Sequence, residues 1–285
     1  MTVIIGYIVV MGAVLGGFTM AGGHVHALVH PSELLTIGGA SLGTMIVMSP
    51  TKVLMDLMKG VLKALKGNPY DKAMYQELFK LSYDLLRMAR RDGILVLERH
   101  VNEPHASDVI TKYPRISADH HALDFLCGGL APVVEGATPE QTAALLEAEL
   151  KVLEEEHHAP IAVLAKAGDA LPGFGIVAAV LGIVITMGAI AGPVEEVGHK
   201  VGSALVGTFL GILLSYGFHG PLASRMEFLG HSESTFFRAM ASIIIAFANG
   251  NPPKVAVEQA RRGVGSENRP NRAELDQLFK EADAA

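Results

Sequence analysis

Four long apolar stretches, at 1–23, 34–51, 170–194 and 201–224, contain no acid and no lysine or arginine. Each has about the ~17–25 residues that an α-helix needs to cross a bilayer. They come as two hairpins. A polar, charged segment, 52–169, separates the pairs, and a charged tail, 225–285, follows the second. The pattern predicts an all-α membrane protein: transmembrane hairpin 1–51, a helical domain over 52–169, transmembrane hairpin 170–224, and the tail. The first stretch has no basic start and no small-residue cleavage site, so it reads as a retained span.

Between the hairpins the apolar period is helical. Asn68-Pro69-Tyr70-Asp71 predicts an N-cap with proline in the first turn. Met74, Leu78, Leu81, Leu85 and Met88 then recur at spacings of four and three, a stripe that packs on a neighbouring helix. Gly93 stops that helix just beyond Arg90 and Arg91. Thr138-Pro139-Glu140-Gln141 reads as a capping box, followed by an apolar face of Leu146, Leu150 and Leu153 ending before Pro160. The run Glu154–Glu156 reads as its solvated side. Ala239–Ala248 is too short to span and reads as a helix lying on the polar domain. No alternating strand pattern of any length is present.

Composition sharpens this picture. The chain has 285 residues, 50% hydrophobic and 18% charged, with a formal net charge of −6. It is too apolar for an ordinary soluble domain and too charged to be all membrane, and its charge gives no reason to expect nucleic acid. Of the 23 lysines and arginines, 14 fall in 52–169 and 8 in 225–285. The positive-inside rule therefore places those segments in the cytoplasm and the connections around His24–Glu33 and Glu195–Lys200 outside. Cys127 is the single cysteine; no intrachain disulfide is possible, and it reads as a small core residue.

Small residues punctuate the spans. Gly12/Gly16, Gly39/Gly43 and Gly207/Gly211 each place two glycines on one helix face, which permits close backbone approach in lipid. Pro172 and Pro221 lie near span ends, where a helix boundary is the simpler reading and a hinge the functional one.

Candidate chemistry is sparse. No phosphate loop, dinucleotide fingerprint, zinc-protease or nucleophile-elbow motif appears, so an enzyme is not expected. His26 and His30 stand four apart near His24, a spacing that would allow a metal only on a helix, so no metal site is expected. Inside the spans the polar groups are Thr186, Ser203, Thr208, Ser215, Tyr216 and His219. An ion path needs a group that titrates, commonly an intramembrane carboxylate, and the four stretches hold none. Either the chain moves no ions, or a partner helix brings the carboxylate. Taken alone, Arg90 and Glu98 read as a favourable helix-end charge and a solvated carboxylate.

Further residues carry a resemblance. Gly6-Tyr7, Arg90-Arg91-Asp92-Gly93, Leu97-Glu98-Arg99, Tyr113-Pro114-Arg115-Ile116, the run Gly168–Ala179, the run Val206–Leu214 with Tyr216-Gly217-Phe218, and Pro252-Pro253 occur in order along nearly the whole length. With these blocks the chain resembles the MotA/PomA family of bacterial flagellar-motor stator subunits. That resemblance implies a proton-conducting, multi-pass subunit of the bacterial inner membrane. Five copies would surround two MotB-like single-span proteins, each supplying a membrane Asp. It implies that Arg90 and Glu98 engage the rotor protein FliG, and that Pro172 and Pro221 couple protonation to movement. Thr208 would line the ion path, with Tyr216 nearby. Ala179 stands where sodium-driven members carry threonine, which implies the proton as coupling ion and no cofactor. Two departures stand out: His219, and the absence of an acid around Cys127-Gly128-Gly129. Energisers of the ExbB/TolQ type have three spans, so a fourth argues against them; a multi-span scaffold or transporter is the competing class.

Overall fold

The computed structural model describes residues 2–188 and 190–284. Among them there is no strand. The α-helices in chain order are α1 (Thr2–Met20), α2 (Pro31–Met48), α3 (Thr51–Lys66), α4 (Lys72–Asp92), α5 (Glu98–Asn102), α6 (Pro114–Ser117), α7 (His120–Val134), α8 (Pro139–Gly188), α9 (Val194–Leu214), α10 (Gly220–Ala248), α11 (Pro253–Arg262) and α12 (Arg272–Ala284). A π-helical turn, Ser215–His219, joins α9 to α10. The chain forms two compact units, Met1–Gly67 with Glu156–Leu229, and Asn68–Glu155 with Gly230–Ala285. The segment 52–169 contributes to both: α3 and the residues from Glu156 onward belong to the first unit.

In the first unit no side chain of α1 is fully buried. From α2, Ile37 is fully buried against Leu171 and Ala178 of α8, with Phe174, Leu210 and Leu214 around them. Leu57 and Ala64 of α3 pack with Val163, Leu164, Ala223 and Met226. The outer surface is as apolar as a core, with Ile8, Val9, Val180, Val184 and Ile185 all exposed. In water such a surface would drive aggregation; in lipid it meets a matching solvent. Three helical stretches, Thr2–Met20, Pro139–Gly188 and Val194–Ala248, are long and apolar enough to cross a membrane. The remaining expected span forms α2, 18 residues long, about 27 Å of helix. Ser32, Glu33, Thr36, Ser41 and Thr44 dilute its hydropathy, and it is not one of the three.

The second unit has a conventional core. Tyr75, Leu78, Phe79, Leu81, Leu85 and Leu86 of α4 pack with Leu123, Phe125 and Leu126 of α7 and with Phe236, Phe237, Met240 and Ile244 of α10. The predicted stripe on α4 is thus the buried face. Its cap is Asp71, whose carboxylate accepts from the Met74 amide at 3.0 Å. Asn68 instead accepts from the Tyr70 amide at 3.0 Å, so the Asn68-Pro69 turn precedes the helix by one step. Gly93 ends α4 at φ 96°, a conformation that favours glycine. The capping box at α8 forms: the Gln141 amide donates to Thr138 Oγ1 at 3.3 Å, and the Thr138 amide to Gln141 Oε1 at 2.9 Å. Cys127 is buried, and burial, aided by Asp124, pushes its thiol up to about 11.

Three expectations about helix ends need correction. The helix starting at Pro139 does not stop before Pro160 but continues through Pro160 and Pro172 to Gly188. Pro172 is therefore interior to a helix, not at its boundary. The stretch 239–248 is the end of α10, and Ala239, Met240, Ala241, Ile243, Ile244 and Ala246 are core rather than surface. Tertiary packing on both sides holds these helices together where proline alone predicts a break.

Candidate functional site: the seam between α8 and α9

The first unit brings α8 and α9 closer than ordinary side chains allow. A side chain on Gly211 would meet the Leu171 carbonyl at 2.6 Å and Gly175 Cα at 2.9 Å. One on Gly175 would meet the Gly207 carbonyl at 2.8 Å, and one on Gly182 the Ala204 methyl at 2.7 Å. Four glycines thus build a backbone-to-backbone seam. Of the three glycine pairs read in the sequence, Gly207/Gly211 makes this seam. Gly12, Gly16, Gly39 and Gly43 have nothing within 4 Å, which leaves those faces of α1 and α2 open.

The seam takes in the backbones of two of the predicted ion-path residues. A Cβ on Gly207 would sit 3.3 Å from the Ala179 amide nitrogen, and one on Gly175 would sit 3.3 Å from Thr208 Cα. Ala179 and Thr208 are both half-buried. Pro172 lies on the same stretch of α8, next to the Leu171 carbonyl that Gly211 approaches. Having no N–H, it leaves the Gly168 carbonyl without its helical donor.

Pro221 and Tyr216 lie further along, around the π-helical turn. Pro221 is the second residue of α10, and its missing N–H removes one backbone donor just where the helix widens. Two side chains close over this turn. Tyr7 of α1 donates its hydroxyl to the Phe218 carbonyl at 3.0 Å and stacks on the Phe218 ring, centroids 4.7 Å apart. His219 Nδ1 donates to the Leu214 carbonyl at 3.1 Å. A Cβ on Gly168 would sit 3.0 Å from His219 Cβ. His219, unexpected from sequence, thus plugs the turn and faces α8. Tyr216 is 72% exposed and is not gathered into the seam.

Sequence reasoning missed one carboxylate. Glu33 is only 6% exposed, and its Oε2 lies 3.3 Å from the position of a Gly207 side chain. Its carboxylate has no hydrogen bond or ion pair among the described residues. An acid therefore does lie in the helix packing of this chain. The apolar run starting at Leu34 excluded it. Pro31, a first-turn signal, would have moved the helix start three residues back and brought Glu33 in.

Other candidates resolve simply. His26 lies in a 3-10 turn and His30 before α2, so they share no helix face. No group of three or more His, Cys, Asp or Glu among the described residues is placed to hold a metal ion. Arg90 and Glu98 belong to the second unit. Both are exposed and neither has an ion-pair partner among the described residues, whereas neighbouring Arg87 and Arg99 are bound to Asp283 and Asp108 at 2.5 and 2.7 Å.

The comparisons with known proteins converge. The Motility protein A N-terminal model matches residues 4–93, and the MotA/TolQ/ExbB proton channel family model matches 117–235. Motility protein A of Salmonella typhimurium is 38% identical over 278 residues, covering 97% of this chain and 94% of that protein. Motility protein A of Escherichia coli has the same identity and coverage. Chemotaxis protein LafT of Vibrio parahaemolyticus is 33% identical over 278 residues, 97% of this chain and 98% of that protein. Among solved structures, C. jejuni MotAB superposes with a TM-score of 0.79 at 20% identity, covering 95% of this chain and 98% of that one. The flagellar MotAB stator complex from Bacillus subtilis gives 0.74 at 25% identity, covering 90% and 92%. The chain belongs to the motility protein A family.

Proposed function

We propose that the chain is the proton-conducting stator subunit of a bacterial flagellar motor, working with a MotB-like single-span partner that supplies a membrane Asp. The observation that carries this reading is the glycine seam. It packs the backbones at Ala179 and Thr208 into the contact between two helices whose apolar runs contain no acid, so α8 and α9 supply a wall for the path but no accepting carboxylate of their own. In this account α2 is a fourth span, the polar unit and tail are cytoplasmic, and His24–Glu33 and Glu195–Lys200 face the periplasm. Five copies around two partners would leave the open glycine faces of α1 and α2 for contacts between subunits or with lipid.

Each proton crossing 100 mV releases ~2.3 kcal/mol. Neutralising the partner's Asp removes a charge beside the seam. α8 and the α9–α10 turn then repack at their weakest points, where Pro172 and Pro221 each remove a backbone donor. Arg90 and Glu98, exposed and unpaired, push the charged surface of FliG. Ala179 offers no side-chain oxygen to a dehydrated sodium ion, so the proton is the coupling ion. Exchanging sodium for potassium at fixed pH therefore leaves swimming speed unchanged, and a speed that follows sodium would refute the assignment.

A further inference from the structure

We infer that Glu33 is a proton relay on the periplasmic side of the seam, loading the partner's carboxylate at the level of Gly207; this rests on the proton-conducting function proposed above. Three observations converge. Glu33 is about nineteen parts in twenty buried, being 6% exposed, and its carboxylate has no hydrogen-bond or ion-pair partner among the described residues. An ionisable group so placed in a membrane helix bundle is costly unless it works. Its Oε2 and the Ala179 amide both lie 3.3 Å from one point, the side-chain position that Gly207 leaves vacant. Thr208, with a hydroxyl that bonds no described residue, is the next residue on α9. Finally, Gly207 lies seven residues beyond Lys200, the last charge of α9, about 10 Å further along the helix. Glu33 thus spans from the polar end of the unit to the level of the ion path.

The step is a proton transfer with nothing else exchanged. The Glu33 carboxylate takes a proton from the periplasmic side, becomes neutral, and gives it to the ionised aspartate of the partner, which returns Glu33 to its charged form. The groups around it are few. His30 stands three residues before it, at the N-cap of α2. On α9 stand His199, its ring 6.4 Å from that of His30, and Lys200, bonded to Glu196 at 2.9 Å. The turn at Val25–Leu28 brings His24 and His26. α1 carries only Tyr7, committed to Phe218, and the 170–188 part of α8 carries no titratable side chain. No Lys, Arg or His side chain forms an ion pair with Glu33 among the described residues.

The test compares wild-type, Glu33→Gln and Glu33→Asp chains, each co-expressed with the partner. Proton flux is read with a pH-sensitive dye while periplasmic pH is varied, and assembly is read by co-purification. E33Q keeps the shape and loses the proton. It is expected to assemble normally, to carry at least about tenfold less flux, equivalent to ~1.4 kcal/mol on the barrier, and to lose the wild-type dependence on periplasmic pH. E33D keeps a titratable group on a shorter stem and is expected to carry reduced flux that still depends on periplasmic pH. Wild-type flux and pH profile in an assembled E33Q complex would overturn the relay while leaving the stator function standing. If E33Q does not co-purify, E33D decides: flux equal to wild type in rate and pH profile overturns the relay. A wild-type complex without proton flux overturns the function itself and the relay with it.

Discussion

Replacing Gly211 by alanine forces a methyl group into a place where no atom can yield. The added carbon would lie 2.6 Å from the Leu171 carbonyl oxygen, 2.9 Å from Gly175 Cα and 3.1 Å from Gly175 N. All three are backbone atoms, so no side-chain rotation relieves the overlap and α8 must move from α9. Overpacking of this kind costs ~1–3 kcal/mol. Alanine also gains ~1 kcal/mol over glycine in a helix, which would mask part of the clash. Gly173→Ala is the internal control: it gains the same propensity on the same stretch of α8, with nothing within 4 Å of its new methyl. Thermal unfolding of the purified chain in detergent, followed by circular dichroism, is the assay. G173A should unfold at or slightly above the wild-type temperature, and G211A below G173A by the full ~1–3 kcal/mol. Proton flux should fall with it, since parting the seam displaces Ala179 from Thr208. Equal midpoints for G211A and G173A would refute the seam as the close contact that sets this site.

Other outcomes follow from single residues. Charge reversal at Arg90 or Glu98 should abolish torque without lowering proton conductance, because both are exposed and unpaired; an equal loss of conductance would contradict that division. His100 is buried, with Nδ1 2.8 Å from Ser107 Oγ, and burial, aided by Arg99, holds its imidazole below the ordinary range. The unfolded chain therefore takes the proton first. Stability should be level above about pH 6.5, fall as pH drops through that value, and level again below the folded value; in His100→Asn that step should vanish from a pH series of melting curves. Asp71→Ala removes the cap of α4 and the partner of Arg115, and should cost ~1 kcal/mol in thermal unfolding. Tyr7→Phe keeps the ring stack but leaves the Phe218 carbonyl unbonded, so motility should fall while stator assembly, read by co-purification, persists.

Much of the fold was legible because lipid enforces simple rules. Long acid-free runs announce helices, and the four-and-three stripe from Met74 to Leu85 announced the buried face of α4. The capping box at Thr138 formed as read. Helix ends were harder. Pro160 and Pro172 signal a break in local terms, yet α8 passes through both because neighbouring helices hold each side. Ala239–Ala248 looked like a surface segment, since ten apolar residues do not reveal the longer helix that carries them into a core. At the site, the resemblance supplied Ala179 and Thr208, but not their juxtaposition, which depends on Gly175 and Gly207 facing each other across two helices. Glu33 was hidden for a plainer reason: a search for acid-free runs begins one residue after it. Tyr216, read together with Thr208, lies exposed outside the seam.

The most direct test of the central claim is proton flux in cells making this chain with, without, and with an altered single-span partner. The account predicts flux and rotation only when both chains are present and the partner's membrane Asp is intact, with loss of both on Asp→Asn. Flux through this chain alone, or flux undiminished by Asp→Asn in the partner, would contradict it.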